Sequence, residues 1–408
     1  MSELKKILLL SAYDAESHRR WRLALAAQFP DIDWVQLSLA PRWFNWRIRG
    51  NPLTWALNES EVLNQAFSQI WATSMTDLAT LRGLVPSLAA VPTYLYFHEN
   101  QFAYPLSDHQ KLSVHKNSLE PKMVQLYSAL AADRLLFNSA YNRDTFLAGV
   151  ADLLQKMPDE VPRGVAERLG AKAQTLHVPL ECDCYLPKLE GSESNVAIEQ
   201  DPPVLAAERP SLNSRQSPHL NPAIAQRPLE IVWNHRWEYD KGPQQLLEIL
   251  QMLPSELSLT VHIVGQKFRR SPKEFEYILA LLQQNQWLGS WGYVESEAAY
   301  RQLLCRSDVV LSTALHDFQG LSVLEAVAAG CIPLVPLRLA YEELFEPHWC
   351  YPGEVDSPSA SQACAELIQR YCQNVYSDQG LPMAPSLDHL SWRTLSGDYR
   401  RLIDNIYL

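Results

Sequence analysis

Short apolar runs alternate with longer helical patterns over the first half of the chain. Residues 5–13 (KKILLLSAY), 92–100 (PTYLYFHEN) and 133–141 (DRLLFNSAY) each contain a continuous apolar run that is typical of a buried strand. Residues 16–29 and 117–132 have the apolar spacing of helices. Strands that are separated by helices predict a parallel sheet with helical crossovers.

The same alternation returns after residue 228. Residues 242–253 (GPQQLLEILQML) predict a helix, and the predicted strands of this half are LEIVWNH, LSLTVHIVG, DVVLSTA and CIPLVP. Between the two halves, residues 188–228 are rich in Pro, Ser, Asn and Gln and have little apolar periodicity, which predicts a flexible linker. Residues 389–408 have the spacing of an amphipathic helix.

This pattern predicts an α/β protein with two Rossmann-like domains. The first is expected at residues 1–187 and the second at residues 229–385, with the linker between them and a C-terminal helix within residues 386–408. Open sheets of this class bind ligands at the carboxyl ends of their strands. We therefore expect the two domains to face each other across a central cleft that holds the ligand.

Composition narrows the class of protein. The chain carries a formal net charge of −11, which argues against a general nucleic-acid coat and leaves room only for a local basic patch. No run approaches the ~20 apolar residues of a membrane span, and the N-terminal apolar run stops too early for a signal peptide, so no stable membrane association is expected. The seven cysteines show no zinc-site spacing, which favours reduced thiols and a cytoplasmic protein.

A helix bounded by two glycines follows the strand DVVLSTA. It is predicted to begin at Gly320 and to stop at Gly330. The backbone N–H groups at such a helix start, directly after a strand, suit a phosphate group. The residues of this predicted phosphate site are Gly320, Leu321 and Ser322.

Glu325 lies one turn further into this helix, among apolar positions. A buried carboxylate is costly unless a partner satisfies it, and the two hydroxyls of a ribose beyond the phosphate are suitable partners. Asp317, in the loop before the helix, would then face the group that extends beyond the phosphates. The alternative is that Glu325 bonds another polar side chain and that Asp317 is an ordinary loop residue.

Two cations follow the strand LEIVW directly. Arg236 and Lys241 lie in the stretch NHRWEYDKGP, in a predicted strand-to-helix loop. An arginine fork and a lysine point charge near a helix start make a clamp for a diphosphate. By itself the loop is more simply a solvated basic loop, but two phosphate-suited features in one domain favour a nucleotide site.

A third candidate is the tract PRWFNWRIRG, residues 41–50, in which arginines and aromatic residues alternate. Cations bind phosphates without reading sequence, and aromatic faces stack on unpaired bases. The alternative is that the aromatic residues belong to the core and the arginines are solvated. The residues of this tract are Arg42, Arg47, Arg49, Trp43, Phe44 and Trp46.

These residues carry a family resemblance. Arg236 and Lys241, followed by Asp317 and Glu325, resemble the R-x4-K and E-x7-E patterns of the retaining GT-B glycosyltransferases of family 4. The resemblance implies that the two cations hold the donor diphosphate, that the first acid addresses the sugar and that the second grips the ribose. It also implies that the C-terminal helix, with Ser391 and Trp392 at its start, crosses back to the first domain. Asp317 departs from the pattern, since the longer Glu is usual there.

The first half narrows this resemblance. YLYFHENQFAYPL, LAADRLLFNSAYNRDTFL and LHVPLECDCY, together with LAPRWFNWRIRG, resemble the tRNA-queuosine α-mannosyltransferase subfamily. Membership implies transfer of mannose from GDP-mannose to the cyclopentenediol of queuosine in a tRNA anticodon, with no metal and no cofactor beyond the nucleotide-sugar substrate. The turn SAYDAESH departs from the family, which has a glycine-rich turn after the first strand.

Polar residues end a predicted strand of the first domain where it should point into the cleft. His98 by itself is more often a core histidine, but the resemblance implies a place beside the donor sugar and the acceptor hydroxyl. Glu99 and Asn100 are candidates for binding sugar or acceptor hydroxyls, and His18 faces the cleft if the first loop is placed as in the family. Weaker candidates at the end of the next strand are Asn138 and Ser139.

Two other functions stay open at the level of sequence. A GT-B enzyme that acts on a lipid-linked or cell-surface glycan would need a membrane-docking surface, typically a basic amphipathic helix, for which residues 42–49 are a poor match. A non-catalytic module that binds a nucleotide sugar or RNA would keep the fold without the activity. Asp317 favours that module. The residues that argue against it are the intact Arg236, Lys241, Glu325 and His98.

Overall fold

The structure is a computed structural model of the chain. It describes residues 4–104, 119–181, 227–267, 271–375, 377 and 380–404. Most of the predicted linker, residues 188–228, lies outside the described residues, as do two of the seven cysteines. The five described cysteines are free thiols, namely Cys305, Cys331, Cys350, Cys364 and Cys372.

The first half folds around a parallel six-stranded sheet. Its strands are β1 Lys5–Ser11, β2 Ile32–Ser38, β3 Gln69–Thr73, β4 Thr93–Phe97, β5 Arg134–Phe137 and β6 Ala173–Thr175. They pair in the order β2-β1-β3-β4-β5-β6, and each neighbouring pair is parallel. The connections change direction between β1 and β3, which is the kind of switch point where open α/β sheets bind ligands.

Helices cover both faces of this sheet. They are α1 Glu16–Gln28, α2 Phe44–Asn58, α3 Ser60–Leu63, α4 Leu78–Leu84, α5 Leu119–Ala131, α6 Ala140–Gln155 and α7 Val165–Gly170. The strand β1 shows why the apolar run is continuous: Leu8 and Leu10 pack in one hydrophobic cluster, and Ile7 and Leu9 pack in another. Since successive strand side chains point to opposite faces, a strand covered on both faces has no polar positions to alternate with.

The second half repeats this architecture. Its strands are β7 Leu229–Trp233, β8 Leu259–Val264, β9 Leu288–Gly292, β10 Val309–Leu311, β11 Ile332–Pro336 and β12 Cys350–Tyr351, in the order β12-β11-β10-β7-β8-β9. Each neighbouring pair of these strands is parallel. The flanking helices are α8 Pro243–Gln251, α9 Glu274–Gln284, α10 Glu297–Arg306, α11 Leu321–Ala328, α12 Tyr341–Leu344 and α13 Pro358–Asn374. Short 3₁₀ turns lie at Pro86–Leu88, Tyr239–Lys241, Pro347–Trp349 and Asp388–Leu390.

The last described helix, α14 Trp392–Asp404, returns to the first half of the chain. Its residues Leu395, Tyr399 and Ile403 pack in the cluster that contains Ile7 and Trp21. The Tyr399 hydroxyl accepts a 3.0 Å hydrogen bond from the Trp21 indole and donates a 2.9 Å bond to the carbonyl of His177. The predicted C-terminal crossover and the two-domain GT-B arrangement are therefore confirmed. None of the helices in the described residues is long and apolar enough to cross a membrane.

Candidate active site

The loops after β4, β7 and β10 meet between the two sheets. His98 follows β4 directly, and the stretch from Asn234 to Lys241 follows β7. Tyr104 of the first half packs its ring 5.0 Å from that of His316, which lies after β10, and hydrogen-bonds with Arg236. The carboxyl ends of both sheets thus form one cleft, as expected for parallel sheets that face each other.

The start of α11 requires glycine for two reasons. Gly320, the residue before the helix, has a φ of 72°, a left-handed conformation that is strained for other residues. A Cβ atom at this position would lie 2.7 Å from the ring of Tyr341. The helix begins at Leu321, so its first N–H groups have no acceptor within the helix. The backbone of Ser322 is held by a 2.7 Å hydrogen bond from the Asn234 amide to its carbonyl. This is the predicted phosphate-binding turn.

The partner of Glu325 is an arginine of the other domain. Arg20, on α1, donates through Nη1 to Oε1 of Glu325 at 2.5 Å. The Glu325 side chain is only 12% exposed, while that of Arg20 is 51% exposed. Burial raises the pKa of Glu325, and the charge and hydrogen bond of Arg20 oppose that rise. The alternative that Glu325 bonds another polar side chain therefore describes this contact.

Lys241 is the better buried of the two predicted clamp cations. Its ammonium donates a 2.7 Å hydrogen bond to the carbonyl of His316 and lies 3.3 Å from Oδ2 of Asp240 and 3.7 Å from Oδ2 of Asp317. The Arg236 guanidinium lies 2.9 Å from Oε2 of Glu238. Each cation thus faces a carboxylate, and Lys241 adds positive charge to the loop that precedes the phosphate-binding turn.

Asp317 is held in its charged form. Burial raises the pKa of its carboxyl, but the nearby Lys241, followed by His235 and His316, outweighs this effect and leaves the pKa below its ordinary value. The hydroxyl of Tyr341 donates to its Oδ2 at 3.1 Å. An ionised acid at this place can accept hydrogen bonds from sugar hydroxyls, which is the role that the resemblance implies for the longer Glu.

His98 and His18 form a stacked pair. Their ring centroids lie 4.3 Å apart with an interplanar angle of 22°, and Trp21 and Tyr96 pack around His98. Both rings are buried, and burial lowers both pKa values, that of His18 to about 4. Neither ring nitrogen of His98 has a hydrogen-bond partner among the described residues. A neutral imidazole with unpaired nitrogens can bind a hydroxyl group as donor or acceptor.

Glu99 and Asn100, although adjacent, have different surroundings. Burial raises the pKa of Glu99, and the charges of Arg236 and Lys241 oppose that rise, so this acid faces the clamp across the cleft. Asn100 is fully buried, and its amide donates to Asn142 while its carbonyl oxygen accepts from two backbone N–H groups. Asn100 therefore shapes the loop that carries His98 and Glu99 and does not offer its side chain to a sugar, contrary to our expectation.

The weaker candidates at the end of β5 are also structural. The Asn138 amide donates to the carbonyl of His98 at 2.9 Å, and Ser139 caps α6 by accepting from the N–H of Asn142. The side chain of Asn138 accepts from the Asn142 amide at 2.8 Å. These bonds fix the loop after β4 against α6, which positions His98.

The arginine-aromatic tract lies at the start of α2. Trp43 and Trp46 are 75% and 53% exposed, so the alternative that these two tryptophans belong to the core is wrong. Phe44 packs edge-on against Tyr13, with ring centroids 5.7 Å apart. Burial is the main cause of the raised pKa of Tyr13; the charge of Glu99 raises it further, and that of Arg236 lowers it. The tract thus adjoins the cleft.

The arginines of this tract have different neighbours. Arg42 is exposed, Arg47 is half-buried, and Arg49 pairs with Asp77 and, at 3.3 Å, with Glu120. Arg49 therefore also ties α2 to the ends of two other helices, which was not expected from sequence. Arg42 is the most accessible arginine of the tract that makes no ion pair within the described residues.

Sequence reasoning missed several residues that connect the two halves. Arg20 is one. Gln319 accepts from the N–H of Val178 and donates to its carbonyl, both at 3.0 Å, and Glu343 accepts from the N–H of Ala140 at the start of α6. No local pattern marks such residues, because each is defined by a partner that is distant in the chain.

Comparison with known proteins agrees with this architecture. The family model described as tRNA-queuosine alpha-mannosyltransferase N-terminal matches residues 6–180, and the model described as Glycosyl transferases group 1 matches residues 219–377. The chain is 30% identical over 370 residues to a tRNA-queuosine alpha-mannosyltransferase of Drosophila melanogaster, which covers 90% of this chain and 87% of that protein.

Solved structures show the same fold at low sequence identity. Anabaena HepE, solved in complex with UDP, superposes with a TM-score of 0.59 at 13% identity and covers 98% of this chain and 99% of its own. The sucrose-phosphate synthase of Thermosynechococcus elongatus gives a TM-score of 0.57 at 12% identity, with 98% of both chains covered. The fold is GT-B, the chain is a glycosyltransferase, and it belongs to the tRNA-queuosine alpha-mannosyltransferase family.

Proposed function

We propose that this protein transfers mannose from GDP-mannose to the cyclopentenediol of queuosine in tRNA, with retention of the anomeric configuration. The observation that carries the proposal is the likeness to the Drosophila relative over 90% of the chain. It is supported by two exposed tryptophans, Trp43 and Trp46, beside a cleft whose other wall contains the cations Arg236 and Lys241. The acceptor places the reaction in the cytoplasm.

On the donor side, Arg236 and Lys241 bind the diphosphate together with the first-turn N–H groups of α11. Glu325 accepts hydrogen bonds from the ribose hydroxyls, and Asp317 accepts from the hydroxyls of the transferred sugar. Asp317 is ionised because Lys241 lies 3.7 Å away. Its shorter side chain selects a sugar that sits closer to the loop than a Glu at this position would allow.

In the reaction, an acceptor hydroxyl attacks the anomeric carbon from the face that the diphosphate leaves. The bond between that carbon and the phosphate oxygen breaks, the new glycosidic bond forms, and the hydroxyl proton passes to the departing diphosphate. Arg236 and Lys241 stabilise the charge that develops on the leaving group, which is electrostatic catalysis by preorganised donors. Neutral His98 orients the hydroxyls of the sugar or the acceptor by hydrogen bonding.

On the acceptor side, the tract at the start of α2 binds the anticodon loop. Trp43 and Trp46 stack on unpaired bases, and Arg42 contacts phosphates. With a net charge of −11 on the whole chain, such contacts are confined to this patch. Neither a metal nor a cofactor takes part in the proposed reaction, so transfer is expected to persist in the presence of a chelator.

A transfer assay with radiolabelled GDP-mannose tests the proposal. Queuosine-containing tRNA is the acceptor, and the matched tRNA with guanine at that position is the control. Label in the modified tRNA alone is the expected result. Transfer to the unmodified tRNA, or to a lipid-linked glycan offered in parallel, would contradict the proposed acceptor. Label from another nucleotide sugar but not from GDP-mannose would contradict the proposed donor.

A further inference from the structure

Glu325 and Arg20 belong to different domains, yet they form a 2.5 Å ion pair inside the donor site. On α1 the residues His18, Trp21 and Leu25 face the first domain's core. Arg20 lies on the other side of that helix and reaches across the cleft to α11. Arg20 of the first domain thus contacts Glu325, the carboxylate that binds the donor ribose in the proposed function.

We propose that Arg20 is a donor-site residue supplied by the acceptor domain. It orients Glu325 through one carboxylate oxygen, and this leaves the second oxygen to accept hydrogen bonds from the ribose of the nucleotide. The donor site thus includes a side chain from each of the two domains. This inference rests on the proposed function, since it requires a nucleotide sugar whose ribose lies at Glu325.

The geometry leaves room for both partners. A carboxylate has two oxygens and about four lone-pair sites, and the contact with Arg20 is made through Oε1 of Glu325. The neighbouring wall is built by Asn234, whose amide donates to the hydroxyl of half-buried Tyr300 at 2.9 Å and to the carbonyl of Ser322 at 2.7 Å. These bonds hold α10 and the first turn of α11 together beneath the carboxylate.

The charges around Glu325 explain why it needs this arginine. The negative charges of Glu181 and Glu297 raise the pKa of Glu325. The charge of Glu325 in turn raises the pKa of the neighbouring Tyr300 hydroxyl. Arg301 pairs with both of those acids, at 3.9 Å and 2.5 Å. Arg20 is the cation that opposes the effect of burial on Glu325. Without it, the carboxylate is buried among negative groups and takes up a proton more readily.

Other contacts hold the two halves together independently of Arg20. Gln319 and Val178 exchange two 3.0 Å hydrogen bonds, and Glu343 binds the N–H of Ala140 at 2.9 Å. The side chain of Arg20 is half exposed and does not belong to the hydrophobic core. Its truncation is therefore expected to leave the fold intact. The variant therefore reports on the donor site.

The test compares Arg20→Ala with Arg19→Ala in the full chain. Arg19 is the adjacent residue on the same helix, and its guanidinium lies 3.6 Å from the carboxylate of Glu16 within α1. We expect Arg20→Ala to raise the Kd for GDP and the KM for GDP-mannose about tenfold, the effect of losing one charged hydrogen bond, with kcat changed less than KM. Arg19→Ala should match the wild type.

Two further measurements separate this role from a structural one. In Arg20→Ala, the loss of GDP affinity on acidification should set in at a higher pH than in the wild type, because Glu325 then lacks the positive charge that favours its ionised form. A double variant with Glu325→Gln should be no weaker than Glu325→Gln alone, since the arginine acts through that carboxylate.

The outcomes distinguish the two hypotheses. If Glu325→Gln weakens GDP binding and Arg20→Ala does not, the inference about Arg20 is wrong while the donor site stands. If neither variant changes GDP binding, the ribose is not at Glu325, and the proposed donor site fails together with this inference. If the two effects add in the double variant, Arg20 does not act through Glu325 and the proposal is overturned.

Discussion

The ammonium of Lys241 donates a 2.7 Å hydrogen bond to the backbone carbonyl of His316, and this bond joins the loop after β7 to the loop after β10. Asp317, the next residue, lies 3.7 Å from the same ammonium. The two sequence patterns that predicted a nucleotide site are therefore held together by one buried cation. A change at Lys241 acts on both loops at once.

Replacing Lys241 with Met tests the clamp, because Met keeps most of the side-chain volume and removes the charge. We expect kcat to fall by about 10²- to 10³-fold, as for other preorganised groups that stabilise developing charge. The variant also leaves Asp240 and Asp317 without their cation. Steady-state kinetics together with thermal unfolding separate a catalytic loss from a folding defect. A folded Lys241→Met variant with turnover close to that of the wild type would show that this cation does not assist departure of the diphosphate.

Replacing Gly320 with Ala tests the helix start. The φ of 72° and the 2.7 Å approach of a Cβ atom to the ring of Tyr341 both oppose a side chain. We expect the free energy of unfolding to fall by about 1–3 kcal/mol and donor affinity to fall as well, since the Tyr341 hydroxyl holds Asp317. The measurement is urea unfolding combined with GDP binding.

Gly397 provides the matched control for that substitution. It lies within α14, and a Cβ atom there meets nothing within 4 Å. Gly397→Ala is expected to leave donor binding unchanged and to stabilise the protein by about 0.5–1 kcal/mol through helix propensity and reduced freedom of the unfolded chain. Equal effects of the two substitutions on stability would contradict the account given for Gly320.

Much of the fold could be predicted from the sequence, because strands buried on both faces of a parallel sheet form continuous apolar runs that are easy to recognise. The runs around β1, β4 and β7 are apolar on both faces, and their ends place His98 and Arg236 at the cleft. The start of the C-terminal helix differs from the prediction, because the helix was expected from residue 386, whereas Asp388–Leu390 form a 3₁₀ turn and α14 begins at Trp392.

The roles of individual polar residues were harder to predict. Glu99 and Asn100 are neighbours in the same strand-end loop, yet only Glu99 faces the clamp. The side chain of Asn100 is instead held inside the loop, where its carbonyl oxygen accepts hydrogen bonds from two backbone N–H groups. The partner of Glu325 was unpredictable for a different reason. Arg20 is one of three arginines within four residues, Arg19, Arg20 and Arg22, and only the packing of α1 decides which one reaches the second domain.

Replacing Trp43 with Ala tests the acceptor surface. The side chain is 75% exposed, so its loss should change stability little. If its ring stacks on a base of the anticodon loop, kcat/KM for tRNA should fall by about tenfold to a hundredfold, the range for one stacked base, while KM for GDP-mannose stays the same. Leu57→Ala, at an equally exposed apolar position of α2, is the control. A loss of the same size in both variants would point to a general apolar contact and contradict stacking.

The stacked pair of His18 and His98 predicts that the protein loses stability in mild acid. Burial lowers the pKa of His18 to about 4, whereas the unfolded chain titrates near 6.5. Below about pH 6.5 the unfolded state therefore binds more protons, and stability falls as the pH drops towards about 4, by up to about 3 kcal/mol for this residue alone. Above pH 6.5 the contribution is fully present.

His18→Phe keeps an aromatic ring in the stack and removes the titrating group. Asp14 and the Tyr13 carbonyl, which favour protonation of His18, remain in place. Urea unfolding at several pH values should give a shallower loss of stability for the variant than for the wild type between about pH 6.5 and about pH 4. The slope should not vanish, because burial also lowers the pKa of His98. Parallel curves for the two proteins would mean that His18 titrates normally in the folded state and is not buried against His98.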